Sequence, residues 1–176
     1  MSPPCHRILL VESDTQLIDQ IFELSEQVEP FRLQILRASD ASALESLLDH
    51  YEFSLAVVNV QRLPADLPLR DLCIRLHPKP VVALVPELDA SFLLSGLRAG
   101  ASDIYSYRCL QYEAQAFVAT LSRLLSRAAQ LEAANLYRES LERSLDELRS
   151  DQMAAQQVQQ NLLPAKLQTI GGVSFA

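Results

Sequence analysis

The sequence has few cysteines and fewer basic than acidic residues, and both shortages exclude classes of protein. Its three cysteines, Cys5, Cys73 and Cys109, show neither the spacing of a metal site nor a disulfide framework. We therefore expect buried thiols in a reducing cytoplasm. Lysine and arginine total 15 against 22 aspartates and glutamates, which gives a net charge of −7. Such an acidic chain is a poor ligand for nucleic acid, whose phosphates favour basic patches.

Long hydrophobic runs are also missing, because the longest apolar runs have only the length of strands. Met1–His6 lacks the charged-then-apolar pattern of a secretory signal. We expect a cytoplasmic protein with no membrane partner. What remains is an ordinary globular composition, with 49% hydrophobic and 21% charged residues in 176 positions. That is enough for one domain with a core and an appendage.

The first two thirds of the chain alternates between strand-like and helix-like hydrophobic patterns. Short apolar or alternating segments predict five strands, near residues 6–11, 31–35, 55–60, 80–85 and 102–106. Apolar residues at helical spacing predict four helices between them, three of which end at Pro30, Pro78 and Gly100. This order predicts an α/β fold, with a five-stranded, doubly wound parallel sheet. Functional side chains are then expected at the carboxyl ends of the strands.

The last third contains neither glycine nor proline between Tyr112 and Leu163. One continuous helix there would be on the order of 75 Å long, and its apolar positions follow a three–four alternation. The alternation changes phase between Leu131 and Ala134, like a stammer in a coiled coil. Packing on its own domain cannot continue beyond Arg127, so we favour a coiled coil over a helix packed wholly on that domain. The stripe expected to form a homodimer is Leu121, Leu124, Leu131, Leu141, Leu145, Leu148 and Leu162, interrupted by Arg138, Gln152 and Gln159. The register, and parallel or antiparallel pairing, stay open.

Four stretches, with the helical patterns between them, resemble the landmarks of response-regulator receiver domains, whose fold is flavodoxin-like. They are ILLVESD (Ile8–Asp14), LAVVNVQRLP (Leu55–Pro64), PVVALV (Pro80–Val85) and RAGASDIYSYR (Arg98–Arg108). The resemblance implies two acidic residues after strand one that hold magnesium, and an aspartate phosphoacceptor at the end of strand three. It also implies a hydroxyl after strand four and a lysine after strand five. These groups would neutralise the charge that builds as a carboxylate attacks phosphorus.

The sequence departs from that pattern at nearly every position that the chemistry needs. Glu12 remains, but Ser13 takes the second acidic position, and one carboxylate makes a weak magnesium site. Asn59 replaces the acceptor, Val85 the hydroxyl and Tyr107 the lysine. We predict a non-phosphorylatable pseudo-receiver without metal, cofactor or catalysis, in which Val85 and Tyr107 fill the vestigial phosphoacceptor pocket. Two alternatives stay open: an active receiver, which is less favoured, and a vestigial pocket that still binds a small molecule.

The segment Ala154–Ala176 is similar to the entry of the metal-dependent serine phosphatases of bacterial partner-switching stress pathways. In that family a Gln-rich helix ends in V-Q-x-x-L-L-P, here VQQNLLP, and a loop leads to a first strand, here expected at Val173–Ala176. The family's metal-binding aspartates do not follow, so we expect a truncated longer protein.

The expected organisation is a receiver-like domain over residues 1–125, a coiled-coil linker over 126–163 and the start of an output domain over 164–176. The chain would dimerise and regulate a serine phosphatase output in two-component or partner-switching signalling. The whole protein would then act on an anti-sigma antagonist or a related client. The alternative is an adaptor that docks a client, such as a stress sigma factor, through helix four, strand five and helix five.

Overall fold

The computed structural model describes residues 5–162, with side chains as far as Val158. The elements follow one another as β1 (Cys5–Val11), α1 (Thr15–Ser25), β2 (Arg32–Ala38), α2 (Ala41–His50), β3 (Leu55–Asn59), α3 (Leu69–Leu76), β4 (Val81–Val85), α4 (Ala90–Ala99), β5 (Asp103–Ser106) and α5 (Ala114–Leu162). A short 3₁₀ turn, Val60–Arg62, follows β3. The strands form one parallel sheet in the order β2-β1-β3-β4-β5. The predicted fold, a doubly wound sheet followed by a long helix, is confirmed.

The sheet separates two apolar layers, because side chains along each strand point alternately to its two faces. The α1/α5 layer joins Ile8 and Leu10 of β1 to side chains of α1 and α5. The α2–α4 layer joins Leu9 and Val11 of the same strand to side chains from α2, α3 and the end of α4. Both faces are therefore covered, which explains why β1, β3 and β4 are nearly continuous apolar runs.

Three aspartates begin helices on this sheet. The carboxylates of Asp14, Asp40 and Asp89 accept hydrogen bonds from backbone N–H groups in the first turns of α1, α2 and α4. At the other end of α4, Gly100 takes a left-handed conformation with φ 98°, which a side chain would disfavour. These caps set where each strand-to-helix connection turns, including the β1–α1 connection beside the candidate site.

Helix α5 runs through two compact units, one ending at Gln130 and the other beginning at Leu131. In the first unit, Leu121 and Leu124 are only 1% and 6% exposed, because they pack in the α1/α5 layer. The prediction that these two leucines take part in dimerisation is therefore wrong. In the second unit, every described side chain from Leu131 to Val158 is exposed. The side chain of Leu162, the strand expected at Val173–Ala176 and the output segment 164–176 lie outside the described residues.

The three cysteines differ in their surroundings. Cys73 is buried in the α2–α4 layer, and this burial raises the pKa of its thiol. Cys5 and Cys109 are exposed, so the expectation of buried thiols is wrong for both. Cys5 begins the first strand and Cys109 lies in the loop after β5, where the layers do not cover them. Among the described residues, no helix has the length and apolar character needed to cross a membrane.

Candidate functional site

The pairing of β1 with β3 brings Glu12 and Asn59 together. Val11 lies opposite Val58 in these parallel strands, so the residues that follow them meet at the carboxyl edge of the sheet. This edge is the topological switch point, since β2 lies on one side of β1 and β3 on the other. Asn59 Nδ2 donates a hydrogen bond to Glu12 Oε2 at 2.6 Å. Both residues are buried, with Glu12 0% and Asn59 3% exposed.

Both oxygens of the Glu12 carboxylate contact donor groups of the chain itself. Its Oε1 accepts hydrogen bonds from the backbone N–H groups of Ser13 at 2.7 Å and Asp14 at 2.9 Å. Arg62 Nε lies 3.4 Å from the same oxygen. Three of these contacts are therefore to Oε1, and the contact from Asn59 is to Oε2. Its buried negative charge is therefore met by hydrogen bonds and one guanidinium group.

Asn59 also positions Arg62, through a local turn. Its Oδ1 accepts a hydrogen bond from the backbone N–H of Gln61 at 3.1 Å and so begins the 3₁₀ turn after β3. This turn carries the Arg62 side chain back toward Glu12. Sequence reasoning missed both Gln61 and Arg62. The signal that could have found them was an asparagine at a strand end, where its side chain favours a turn, with an arginine three residues later.

Tyr107 directly follows β5 and borders the site. Its backbone N–H donates to the carbonyl oxygen of Val85 at 2.9 Å, which continues the strand pairing beyond Ser106. Its hydroxyl donates to Gln61 Oε1 at 3.1 Å. The residue at the lysine position thus contacts the 3₁₀ turn and supplies no positive charge. The site's positive charge comes from Arg62 instead, whose side chain is half exposed.

These residues surround an open cavity of about 210 Å³, lined by Glu12, Asp14, Gln16, Leu17, Gln20, Asn59, Arg62 and Tyr107. Three of the five predicted pocket residues, Glu12, Asn59 and Tyr107, line it. The backbone N–H of Ser13 donates a hydrogen bond to Glu12, and Ser13 does not line the cavity. Val85 belongs to the α2–α4 layer, because alternate side chains of β4 face opposite layers. The expectation that Val85 and Tyr107 fill the pocket is wrong, since Val85 faces away and the cavity remains beside Tyr107.

The site residues do not fit the magnesium ion that the receiver resemblance implies. Magnesium needs near-octahedral oxygen ligands, usually including one or two carboxylates. Here the carboxylate of Glu12 is hydrogen-bonded on both oxygens, and Asn59 directs its amide nitrogen toward it. Asp14 uses its Oδ1 to cap α1. Among residues 5–162, no group of three histidine, cysteine, aspartate or glutamate side chains is placed to hold a metal ion.

Solved structures similar to this chain include several receiver domains. The non-phosphorylated receiver domain of HemR from Leptospira biflexa is 28% identical, with a TM-score of 0.54, over 69% of this chain and 94% of that one. The signal receiver domain of a LuxO repressor protein from Vibrio parahaemolyticus is 17% identical, with a TM-score of 0.61, over 74% and 98%. The chain has the receiver fold. A pilus assembly protein, CpaE, from Burkholderia thailandensis is 22% identical, with a TM-score of 0.55, over 69% and 98%. No family model and no curated protein matches the sequence.

Proposed function

We propose that this chain is a non-phosphorylatable cytoplasmic receiver with a dimerising linker, and that it regulates a C-terminal serine phosphatase output in two-component or partner-switching signalling. The observation that carries the first part is the hydrogen bond from Asn59 to Glu12. A phosphoacceptor needs a free carboxylate nucleophile, and its metal needs free carboxylate oxygens. At this site the amide of Asn59 stands at the phosphoacceptor position, and Oε1 of the remaining carboxylate, Glu12, contacts Arg62 and two backbone N–H groups. The receiver itself then performs no catalysis.

We propose residues 1–125 as the receiver, 126–163 as the linker and 164–176 as the start of the output domain. The dimerising role of the linker is supported by Leu131, Leu141, Leu145 and Leu148, which are 47–61% exposed on α5. A second copy of the helix would cover these leucines, and each would then lose unfavourable contact with water. The phosphatase output rests on the likeness of Ala154–Ala176 to the entry of that family.

Acetyl phosphate labelling tests the central part of the proposal. The chain is incubated with acetyl phosphate and magnesium, and its intact mass is measured beside a phosphorylatable receiver as positive control. We expect no phosphate adduct on this chain under conditions that label the control. A hydroxylamine-labile adduct would show an acyl phosphate and would contradict the proposal, because Asn59 cannot form one.

The second candidate function is an adaptor that docks a client protein, and helix α4 favours it. Phe92, Leu93, Leu94 and Leu97 are all at least 39% exposed on this helix. A client such as a stress sigma factor would cover them with an apolar surface of its own. The test is binding of a purified stress sigma factor to the full chain carrying Leu94→Glu and Leu97→Glu, with Leu141→Glu as the matched control. Loss of binding only in the α4 variant would support the adaptor, and equal binding by all three proteins would exclude this surface.

A further inference from the structure

A second cavity, of about 280 Å³, lies on the face of the sheet that the α2–α4 layer covers, whereas the Glu12 site lies at the carboxyl edge. It is bounded by β4, β5, α4, the start of α3 and the 3₁₀ turn. Its wall is mainly apolar and includes Val60, Leu69, Ala83, Val85, Phe92 and Ile104. Val85, which stands at the hydroxyl position of the receiver pattern, is therefore part of this wall.

The cavity arises from the way α4 approaches the sheet. Gly96 is the buried residue of this helix, and a Cβ there would lie 2.4 Å from Ile104 Cδ1. The helix therefore touches β5 closely at Gly96, while its other cavity-facing residues include the small Ser95 and Ala99. The helix's leucines are exposed instead. Small side chains facing a sheet of valine and isoleucine leave the space beside this contact unfilled.

One charged residue, Arg70, lines the cavity. It lies in the first turn of α3 and is exposed. Among the described residues, no carboxylate forms an ion pair with Arg70. The cavity thus combines an apolar wall with an exposed arginine residue that has no carboxylate partner among the described residues. Ligand sites have this composition, with a mainly apolar wall and a few polar groups that fix orientation.

We infer that this cavity binds a small amphipathic carboxylate. The hydrocarbon part lies against Val85 and Ile104, since covering apolar surface on both partners removes it from water. The carboxylate pairs with Arg70, whose planar guanidinium matches it with two parallel hydrogen bonds. The site is separate from the Glu12 cavity, with which it shares no lining residue. The inference does not depend on the proposed signalling function.

Octanoate is the probe, added to the full chain below its micelle-forming concentration, with octanol as the uncharged comparison. Binding is followed by methyl NMR of Val85 and Ile104, which report on the cavity wall. We expect saturable shifts of these methyl groups with octanoate. Arg70→Gln should weaken octanoate about tenfold, because it removes one charge-assisted contact, and leave octanol unchanged. Arg98→Gln is the matched control, since Arg98 lies on α4 outside the lining.

A filling variant tests the location of the site. Ser95→Leu places a larger side chain on the cavity wall at an exposed helix position, where the fold tolerates it, and should abolish the saturable shifts. Ser91→Leu adds the same side chain one turn earlier, outside the lining, and should leave binding intact. Absence of saturable shifts in the unaltered chain overturns the inference. Equal weakening by both leucine variants, or by both arginine variants, overturns it as well.

Discussion

Replacing Asn59 by aspartate restores the residue type of a phosphoacceptor but should destabilise this particular fold. Asn59 Nδ2 donates to Glu12 Oε2 at 2.6 Å, and both side chains are buried. In the Asn59→Asp variant an oxygen replaces that donor and faces a second carboxylate. Two like charges about 4 Å apart repel by about 4 kcal/mol at an effective dielectric constant near 20. Arg62 offsets part of this repulsion, although its side chain is half exposed.

The destabilisation should depend on pH in a definite direction. The Glu12 charge and the lost hydrogen bond would raise the pKa of the new aspartate in the folded state above about 3.9, its usual value. A carboxyl group whose pKa is raised in the folded state does not destabilise the fold while it is protonated at low pH. The destabilisation grows as pH rises from the usual pKa toward the raised one. We expect the variant to lose about 2–4 kcal/mol of unfolding free energy at pH 7.5 and clearly less at pH 5.

Urea unfolding at the two pH values, in the presence of EDTA, measures this difference. Asn59→Leu is the matched control, because it removes the donor at similar volume without adding charge. It should lose about 1–3 kcal/mol by leaving Glu12 short of a donor, with little difference between the two pH values. An Asn59→Asp variant as stable as the unaltered chain at pH 7.5 would refute the reasoning. Efficient labelling of this variant by acetyl phosphate would refute it too, because the second acidic residue and the lysine are still missing.

Three further results are expected. Beryllofluoride with magnesium should leave NMR signals around Asn59 unchanged, because the mimic needs an acceptor carboxylate and a metal; localised shifts there would contradict this. Replacing Leu141, Leu145 and Leu148 by aspartate should give monomers whose receiver is still folded. Sedimentation equilibrium measures the oligomeric state. An unaltered chain that is monomeric at tens of micromolar, where moderate association is detectable, would contradict the coiled-coil proposal. The pKa of Asp40 should lie below its usual 3.8 in an NMR titration, because the backbone N–H of Ala43 bonds its carboxylate. Its capping contribution is then present at neutral pH and lost as pH falls through that lowered pKa; a normal value would contradict the cap.

The sheet could be predicted from sequence because burial on both faces makes its strands distinctive. β3 and β4 are runs of buried residues, and such runs separated by helical spacing leave few arrangements other than a parallel sheet. Helix α4 was harder to interpret. Its apolar residues suggested a core-facing side, yet Phe92 and the neighbouring leucines are exposed while Gly96 contacts the sheet. Hydrophobicity alone does not show which side of such a helix packs on the sheet.

Helix α5 shows a different limit of sequence reasoning. A three–four spacing arises both in a coiled-coil seam and in a helix that packs on its own domain, so spacing does not identify the partner. The apolar positions before the change of phase are buried as far as Ala128, and those in the α1/α5 layer include Phe117, Leu121 and Leu124. The change of phase near Leu131 coincides with the end of that burial and the start of the second unit. The change of phase therefore marks the end of packing in the α1/α5 layer.

The site shows why its residues could be found while their arrangement could not. The receiver pattern identified Glu12 and Asn59, because each directly follows or ends a strand. It gave no reason to look at Arg62, whose place depends on the turn begun by Asn59 Oδ1. A buried carboxylate needs hydrogen-bond donors or an opposite charge beside it, or the fold loses several kcal/mol. The Asn59 amide donates one hydrogen bond directly, and the turn it begins brings the Arg62 guanidinium within ion-pair distance of Glu12. One side chain, Asn59, thus donates to Glu12 and also begins the turn that places Arg62 beside it, so under our proposal we expect that reverting Asn59 alone does not produce efficient phosphorylation.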